Sequence, residues 1–161
     1  DNYVMLGEAF FPKYAYVNGL SQTRILIGYQ YTHAVVIGFD KNGKLTWDNS
    51  FEINDIITSN LNQYVKIQAQ EDKIYLQYVY ENEIRSKIIM ESQIVEGKSS
   101  DEVKLKFEDD VLRNTEFESS SLDYWYDSKL FVYGVQQIRN YSKSQRNNSR
   151  KVFFINKVDY Q

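Results

Sequence analysis

Two runs of alternating residues meet at an Asn-Gly pair, and this feature limits the possible folds more than any other in the chain. The stretch from Gly28 to Ile53 reads GYQYTHAVVIGFDKNGKLTWDNSFEI, with Asn42-Gly43 near its middle. Both residues tolerate the positive φ angles of a tight turn, so the pair is a strong hairpin signal between alternating runs. The sequence therefore predicts two long strands joined by a turn over Asp40 to Gly43.

The two strands of this hairpin differ in how their side chains alternate. After the turn, apolar residues occupy every second position except Asn49, at Leu45, Trp47, Phe51 and Ile53. Successive side chains of a strand point to opposite faces, so this pattern predicts one buried and one solvated face. Before the turn, one face carries the large residues Tyr29, Tyr31, His33, Val35, Ile37 and Phe39. The other face carries mostly small residues, which predicts a sheet packed closely between neighbouring sheets.

The rest of the chain shows further strand patterns and no helical periodicity. Aromatic residues make up 16% of the chain, and the 14 tyrosines favour half-buried sheet surfaces. Further turns are predicted at Asn18-Gly19 and at residues 96–98. Strands are predicted over residues 3–11, 23–27, 64–70, 73–80, 84–91, 102–107, 122–127, 130–138 and 151–160. The sequence therefore predicts an all-β protein.

Three segments interrupt or border these predicted strands. Pro12 is the only proline. It has no N–H to donate to a sheet, so it predicts a sheet edge or the end of a strand. Residues 113–121 are polar and predict a surface connection. Residues 139–150 are polar and basic, with Tyr141 as their one aromatic residue, and predict a long solvated loop.

The strand patterns recur in three units, over residues 1–53, 64–107 and 122–161. A complete unit has four strands, the size of one propeller blade. The first unit lacks its opening strand and the last lacks its closing strand. We therefore expect antiparallel four-stranded blade-like units, about three blades of a β-propeller, with a β-sandwich as the alternative. Residues 1–161 are then either one all-β domain or the C-terminal part of a longer propeller.

The segment from Phe39 to Trp47, FDKNGKLTW, resembles the Asp…Gly…Trp signature of pyrroloquinoline-quinone-type β-propeller blades. The resemblance implies that Asp40 and Gly43 shape the turn and that Trp47 docks on the next blade. The spacing departs from that signature by one residue, and Asn42 replaces its usual threonine. Most such blades are structural repeats without a quinone, so the resemblance implies no cofactor.

Composition excludes several classes of function. The net charge is −3 with the two signs interspersed, which gives no electrostatic basis for nucleic-acid binding. The chain has no cysteine, so disulfides and cysteine-ligated zinc are excluded. No apolar run approaches the roughly 20 residues of a transmembrane helix.

The residues that could carry chemistry form no recognisable catalytic motif. His33 is the only histidine, and we expect it to be a structural, hydrogen-bonded residue rather than a general base. Asp40 with Asp48 lacks the ligand spacing of a calcium loop, so no metal site is predicted. The carboxylates Glu108, Asp109 and Asp110 are expected to be solvated. No serine lies in a Gly-x-Ser-x-Gly context.

Surplus aromatic residues are the feature that most favours binding, because tyrosine and tryptophan are enriched at interfaces and on sugar-binding platforms. The basic segment over residues 139–150 carries four positive charges and no acid, and is a second candidate contact surface. The candidate binding residues are Tyr29, Tyr31, His33, Tyr141 and Arg146. The candidate structural residues are Asp40, Gly43, Trp47 and Trp125.

The sequence therefore favours a non-enzymatic module that binds a protein partner. A general similarity to secreted repeat proteins rich in Asn, Lys and Tyr implies an extracytoplasmic setting, such as an accessory subunit of a bacterial envelope or secretion complex. The alternatives are a carbohydrate-binding module and a propeller-type glycoside hydrolase that acts through carboxylates.

Overall fold

The computed structural model describes residues 3–16, 23–53, 56–80, 82–103, 110–115, 120–126, 129–140 and 149–158. These residues form strands and turns, and no helix able to span a membrane occurs among them. The twelve strands are β1 (Tyr3–Tyr16), β2 (Arg24–Phe39), β3 (Leu45–Glu52), β4 (Ile57–Thr58), β5 (Lys66–Gln70), β6 (Lys73–Tyr80), β7 (Glu83–Met90), β8 (Gln93–Glu102), β9 (Asp110–Thr115), β10 (Ser121–Tyr124), β11 (Leu130–Asn140) and β12 (Ser149–Val158). The predicted all-β class is confirmed.

The strands form three sheets of four strands each. The first sheet has the order β1-β2-β3, with β4 also paired to β2, and the second has the order β5-β6-β7-β8. The third has the order β10-β11-β12, with β9 also paired to β11. The prediction of antiparallel four-stranded sheets is therefore confirmed.

The predicted hairpin forms between β2 and β3. The strands pair antiparallel from His33 opposite Glu52 to Phe39 opposite Leu45. At the turn, the Asp40 carboxylate accepts hydrogen bonds from the backbone N–H groups of Asn42 and Lys44, both at 2.9 Å. The φ angle of Gly43 is +77°, a conformation that glycine adopts without steric cost.

One polar residue, Asn49, interrupts the apolar face of β3, and the structure gives the reason. Its side-chain oxygen accepts a hydrogen bond of 2.7 Å from the ammonium of Lys87 on β7. The same ammonium donates to the backbone oxygen of Ser50 at 2.5 Å. Burial lowers the pKa of Lys87, because the charged form loses solvation. Asn49 thus provides an acceptor for a partly buried cation.

The alternation predicted along β2 is interrupted by a register shift. Ala9 lies opposite His33 but Phe10 lies opposite Tyr31, so β2 has one extra residue at this point. Such a bulge reverses the side-chain alternation on its two sides. Consequently Tyr31 is 2% exposed whereas His33 is exposed, and Ala34 is fully buried. The prediction that Tyr31 and His33 share one face is therefore wrong.

Trp47 lies over Gly38, its cross-strand neighbour in the first sheet. A Cβ atom added at Gly38 would lie 2.2 Å from both Cε2 and Nε1 of the Trp47 indole. The absence of a side chain at Gly38 thus leaves room for the Trp47 ring, which packs on the glycine backbone of the same sheet.

We expect Gly38→Ala to lower the free energy of unfolding by about 1–3 kcal/mol, since the added methyl group must displace the indole. Urea unfolding measures the change, and near-ultraviolet circular dichroism reports the movement of Trp47. Gly97→Ala is the matched control, because an added Cβ there meets nothing within 4 Å. Equal stability of the two variants would contradict the expected clash.

Four local predictions are refined or corrected by the structure. Pro12 is on an edge strand, as predicted, but β1 continues past it to Tyr16 and does not end there. The turn predicted at residues 96–98 is wrong, because β8 runs through these residues. Residues 113–115 belong to β9 and not to a surface connection. Residues 139–140 belong to β11 and residues 149–150 to β12, so the predicted loop is wrong at both ends. Its remaining residues and the predicted Asn18-Gly19 turn lie outside the described residues.

The chain divides into two compact units, residues 1–76 with 87–98 and residues 77–86 with 99–161. The first unit contains the first sheet, and its buried apolar residues include Ala34, Val36, Phe51, Ile53, Val65, Leu76 and Ile89. The second unit contains the third sheet, and its core contains Val79, Ile84, Val103, Leu122, Leu130 and Val132. Strands of the second sheet contribute to both cores.

Candidate functional site

A surface of large apolar side chains covers the outer side of the third sheet. We name it the aromatic face, and it consists of Trp125, Tyr126, Phe131, Tyr133, Phe153 and Ile155. Four of these side chains are exposed to solvent by two-fifths or more: Trp125 is 44% exposed, Tyr126 66%, Phe153 67% and Ile155 50%. Contiguous exposed apolar side chains mark interaction surfaces on soluble proteins.

The alternation of β11 and β12 places Phe131, Tyr133, Phe153 and Ile155 on one side of the sheet. On β11 the buried residues Leu130 and Val132 point to the core, so Phe131 and Tyr133 point outward. β12 pairs with β11 without a register shift, and Ile155 lies directly opposite Tyr133.

Four rings of the aromatic face, those of Trp125, Tyr126, Phe131 and Tyr133, contact one another. The rings of Trp125 and Phe131 meet edge to face, with centroids 5.1 Å apart. Phe131 and Tyr133 are stacked, with centroids 5.3 Å apart. Tyr126 meets Trp125 at 6.0 Å, and the ammonium of Lys129 lies 5.7 Å from the Tyr126 ring. These mutual contacts hold the rings in fixed positions and lower the entropy that a partner must remove on binding.

Charged residues border the aromatic face on opposite sides. Asp123 on β10 and Lys157 on β12 are the two cross-strand neighbours of Phe131. Lys151 lies on the same exposed side of β12 as Phe153 and Ile155. An apolar centre with a charged rim is the usual composition of a protein interface.

The core of the second unit packs against the inner side of the third sheet, opposite the aromatic face. Phe154 and Val158 point inward from β12 and pack on the buried cluster around Leu130 and Val132. Because inward and outward residues alternate, the inner packing fixes the positions of Phe153 and Ile155 on the outside.

A second aromatic cluster lies in the first unit and contains two of the predicted binding residues. Phe10 lies 5.9 Å from Tyr29 and 5.6 Å from Tyr31, measured between ring centroids. Tyr31 also lies 5.8 Å from Tyr64, and its hydroxyl donates a hydrogen bond of 2.7 Å to the backbone oxygen of Asn62. Tyr31 is 2% exposed, so it packs inside the unit and is not available to a ligand in this structure.

Glu8 connects β1 to the segment that precedes β5. Its carboxylate accepts hydrogen bonds from the backbone N–H groups of Tyr64, at 2.9 Å and 3.1 Å, and of Val65, at 2.5 Å. Burial raises the pKa of Glu8 above its ordinary value, and this effect exceeds the opposing effect of the N–H donors. Burial, and then the nearby Glu8 charge, raise the pKa of Tyr31.

The pKa of Glu8 predicts a pH-dependent contribution to stability. A carboxyl whose pKa is raised on folding stabilises the fold most below its unfolded-state pKa, and this contribution is lost as the pH rises through the folded-state pKa. Glu8→Gln cannot titrate at this position. The free energy of unfolding of the wild type, measured relative to that of Glu8→Gln, should therefore be higher at pH 4 than at pH 7. Urea unfolding of both proteins at the two pH values measures this difference. A wild-type advantage that grows with pH would contradict the assignment.

Other exposed apolar residues lie where β1 and β2 extend beyond β3 and β4 as a two-stranded ribbon. They are Tyr14, Tyr16, Ile25, Leu26 and Ile27, and each is between 44% and 65% exposed. A register shift between Lys13 and Tyr14 makes this ribbon irregular. Bulges of this kind discourage the addition of further strands.

Of the residues considered for catalysis, His33 and Asp110 are engaged in polar contacts, and Glu108 and Asp109 lie outside the described residues. The Nδ1 atom of His33 lies 3.0 Å from Oγ1 of Thr32. The expectation that Asp110 is solvated is wrong, because its side chain is 1% exposed and lies 3.3 Å from the guanidinium of Arg150. Among the described residues, no group of three or more His, Asp or Glu side chains is arranged to hold a metal ion.

Of the sequence-predicted binding residues, the structure brings Tyr29 and Tyr31 together and leaves His33 outside their ring contacts. Tyr141 and Arg146 lie outside the described residues. The sequence reasoning singled out Trp125 as a structural residue, and its ring is partly exposed on the aromatic face.

The sequence reasoning missed Phe131, Tyr133, Phe153 and Ile155 as candidate binding residues. The available signal was the alternation of Lys151, Phe153, Ile155 and Lys157 along one predicted strand. Charged residues at both ends of an apolar stripe indicate a solvated face rather than a core face.

No protein-family model, curated protein or solved structure matches this chain.

Proposed function

We propose that this chain is a non-enzymatic binding module that recognises a protein through the aromatic face. The observation that carries the proposal is the continuous row from Trp125 through Phe131 and Tyr133 to Ile155, with Asp123 and Lys157 on its flanks. Large, rigid aromatic side chains dominate binding energy at protein interfaces, and charged flanks fix the orientation of the partner.

The test is capture of a partner from native extract with the tagged chain. The wild type should retain a protein in stoichiometric amount, identified by mass spectrometry. Phe153→Ala combined with Trp125→Ala should weaken retention by about 30-fold or more, as the loss of interface hot spots does. Ile94→Ala is the matched control, because Ile94 is 59% exposed on β8 outside the aromatic face. Retention that is equal for all three proteins would refute the proposal.

A carbohydrate-binding module is the second candidate, and the partly exposed Trp125 ring favours it. Sugar rings stack on exposed aromatic faces, but the perpendicular contact with Phe131 occupies part of the Trp125 surface. A glycan-array signal that disappears in Trp125→Ala, with no captured protein, would establish this candidate instead. A glycoside hydrolase receives less support, because buried Asp110 is paired with Arg150.

We further propose that the three sheets are blades of a propeller-like arrangement. The second sheet has the four adjacent strands of a complete blade. In the first and third sheets, two short strands share one edge of the central strand, so each has three strand positions across the sheet. An extracytoplasmic setting, as an accessory subunit of an envelope or secretion complex, accords with a chain dedicated to protein binding.

A further inference from the structure

We propose that the protein bound at the aromatic face is a second copy of this chain, held in a two-fold dimer in which Asp123 of each protomer faces Lys157 of the partner subunit. The inference rests on the proposed function, since it names the partner of that same surface. It follows from the arrangement of charged and apolar residues across the third sheet.

Three residues in one row define the arrangement. Asp123, Phe131 and Lys157 are cross-strand neighbours on β10, β11 and β12. Adjacent strands are about 4.8 Å apart, so the acid and the base lie one strand spacing to either side of the Phe131 ring. The row therefore has an anion on one side, an aromatic centre and a cation on the other side.

A row with this composition is complementary to its own copy. When two sheets pack face to face about a two-fold axis that runs along β11, the order of the strands is reversed in the partner. β10 then faces β12 of the partner subunit, so that Asp123 meets Lys157 of the partner subunit twice, once on each side. Phe131 lies near the axis and meets its own copy.

The next row supports the same arrangement through the sizes of its side chains. Ser121 and Ile155 flank Tyr133 on its two sides. After the two-fold rotation, the small Ser121 side chain faces the large Ile155 of the partner subunit, and Tyr133 faces its copy. Two sheets that pack in this way lie about 10 Å apart, which is the thickness of a layer of interdigitated side chains.

Light scattering across a concentration series tests the dimer itself. At high concentration, the mass of the purified wild type should approach twice the 19.1 kDa of the chain. The Phe153→Ala dimer should dissociate at a higher protein concentration than the wild-type dimer. Ile25→Asp should leave self-association unchanged. Ile25 is as exposed as Ile155 of the aromatic face, at 50%, but it lies on the ribbon of β1 and β2. A wild type that remains monomeric, or a dimer that Ile25→Asp disrupts, overturns the proposal.

Charge reversal tests the register of the two protomers. Asp123→Lys gives a protomer with positive residues on both flanks, and Lys157→Asp gives one with negative residues on both flanks. Each variant alone should self-associate at least about tenfold more weakly than the wild type, because like charges face each other across the dimer. An equimolar mixture of the two should form a heterodimer, since every facing pair then has opposite charges.

The mixture also controls for folding, because two misfolded variants would not recover a dimer on mixing. A mixture that remains monomeric, although both variants have the circular dichroism spectrum of the wild type, overturns the proposed register. Failure of the dimer and failure of the proposed function are distinguishable. A monomeric wild type that still captures another protein through Trp125 and Phe153 refutes only the second copy as partner. A chain that neither self-associates nor captures any protein through these residues refutes both.

Discussion

Gly28→Ala should lower the free energy of unfolding by about 2–4 kcal/mol, from backbone strain combined with overpacking. Gly28 has a φ angle of +149°, which residues with a side chain rarely adopt. A Cβ atom added there would lie 2.5 Å from the backbone oxygen of Thr58 and 2.9 Å from Cγ2 of Ile57. Both atoms belong to β4, which pairs with β2 at the residues directly after Gly28.

Urea unfolding measures this cost, and Gly7→Ala is the matched control. Gly7 also lies in a long strand of the first sheet, but a Cβ atom added there meets nothing within 4 Å. The control should therefore remain within about 0.5 kcal/mol of the wild type. A Gly28→Ala protein as stable as the control would show that β4 does not approach β2 this closely.

Leu130→Ala should lower the free energy of unfolding by about 2–5 kcal/mol, the cost of an unfilled cavity in a packed core. Leu130 is 1% exposed and belongs to the buried cluster that includes Val132 and Leu122. The inward residues Phe154 and Val158 of β12 pack on this cluster. Loss of the Leu130 side chain thus removes packing contacts on the inner side of the third sheet, opposite the aromatic face.

Ile155→Ala separates stability from binding and serves as the control for Leu130→Ala. Ile155 is 50% exposed on the outer side of β12, so its truncation should cost less than about 1 kcal/mol in chemical unfolding. The same variant should weaken partner binding. Equal destabilisation by the two substitutions would mean that β12 presents Ile155 to the core, contrary to the structure.

Local chemistry made much of the first sheet predictable from the sequence. An Asn-Gly pair between two alternating runs sufficed for the β2–β3 hairpin, since the residues that specify the turn are adjacent in the chain. The alternation of β3 predicted burial of Phe51 and Ile53, which are each 1% exposed. It also predicted burial of Leu45, which is wrong: Leu45 is 52% exposed, and a register shift between Gly38 and Phe39 separates it from the buried face. The alternation gave no reason for Asn49, because the partner of Asn49 is Lys87 on a distant strand.

Features that depend on distant pairing were not predictable. The extra residue of β2 near Thr32 reflects the register with β1, and the Thr32 hydroxyl donates a hydrogen bond of 3.2 Å to the backbone oxygen of Ala9. The two-residue strand β4 forms only because β2 offers an edge beyond β3. Neither feature has a local signal, so strict alternation gave the wrong face for His33.

The candidate site was only partly predictable for a related reason. β11 is apolar on both faces, with Leu130 and Val132 on one face and Phe131 and Tyr133 on the other. A strand of this kind gives no indication of which face is covered. The structure settles the question by burying Leu130 and Val132. The excess of tyrosine pointed to aromatic residues, but it did not distinguish the exposed rings from those packed inside, such as Tyr31.

The exposure of Trp125 to a soluble quencher tests the central claim most directly. The chain has two tryptophans, Trp47 and Trp125, so the difference between the wild type and Trp125→Phe isolates the signal of the aromatic face. If the aromatic face binds a protein, acrylamide quenching of Trp125 should fall when the protein self-associates or when a captured partner is added, and its emission should shift to shorter wavelength. Quenching of Trp125 that stays the same in the bound and unbound states would contradict the account.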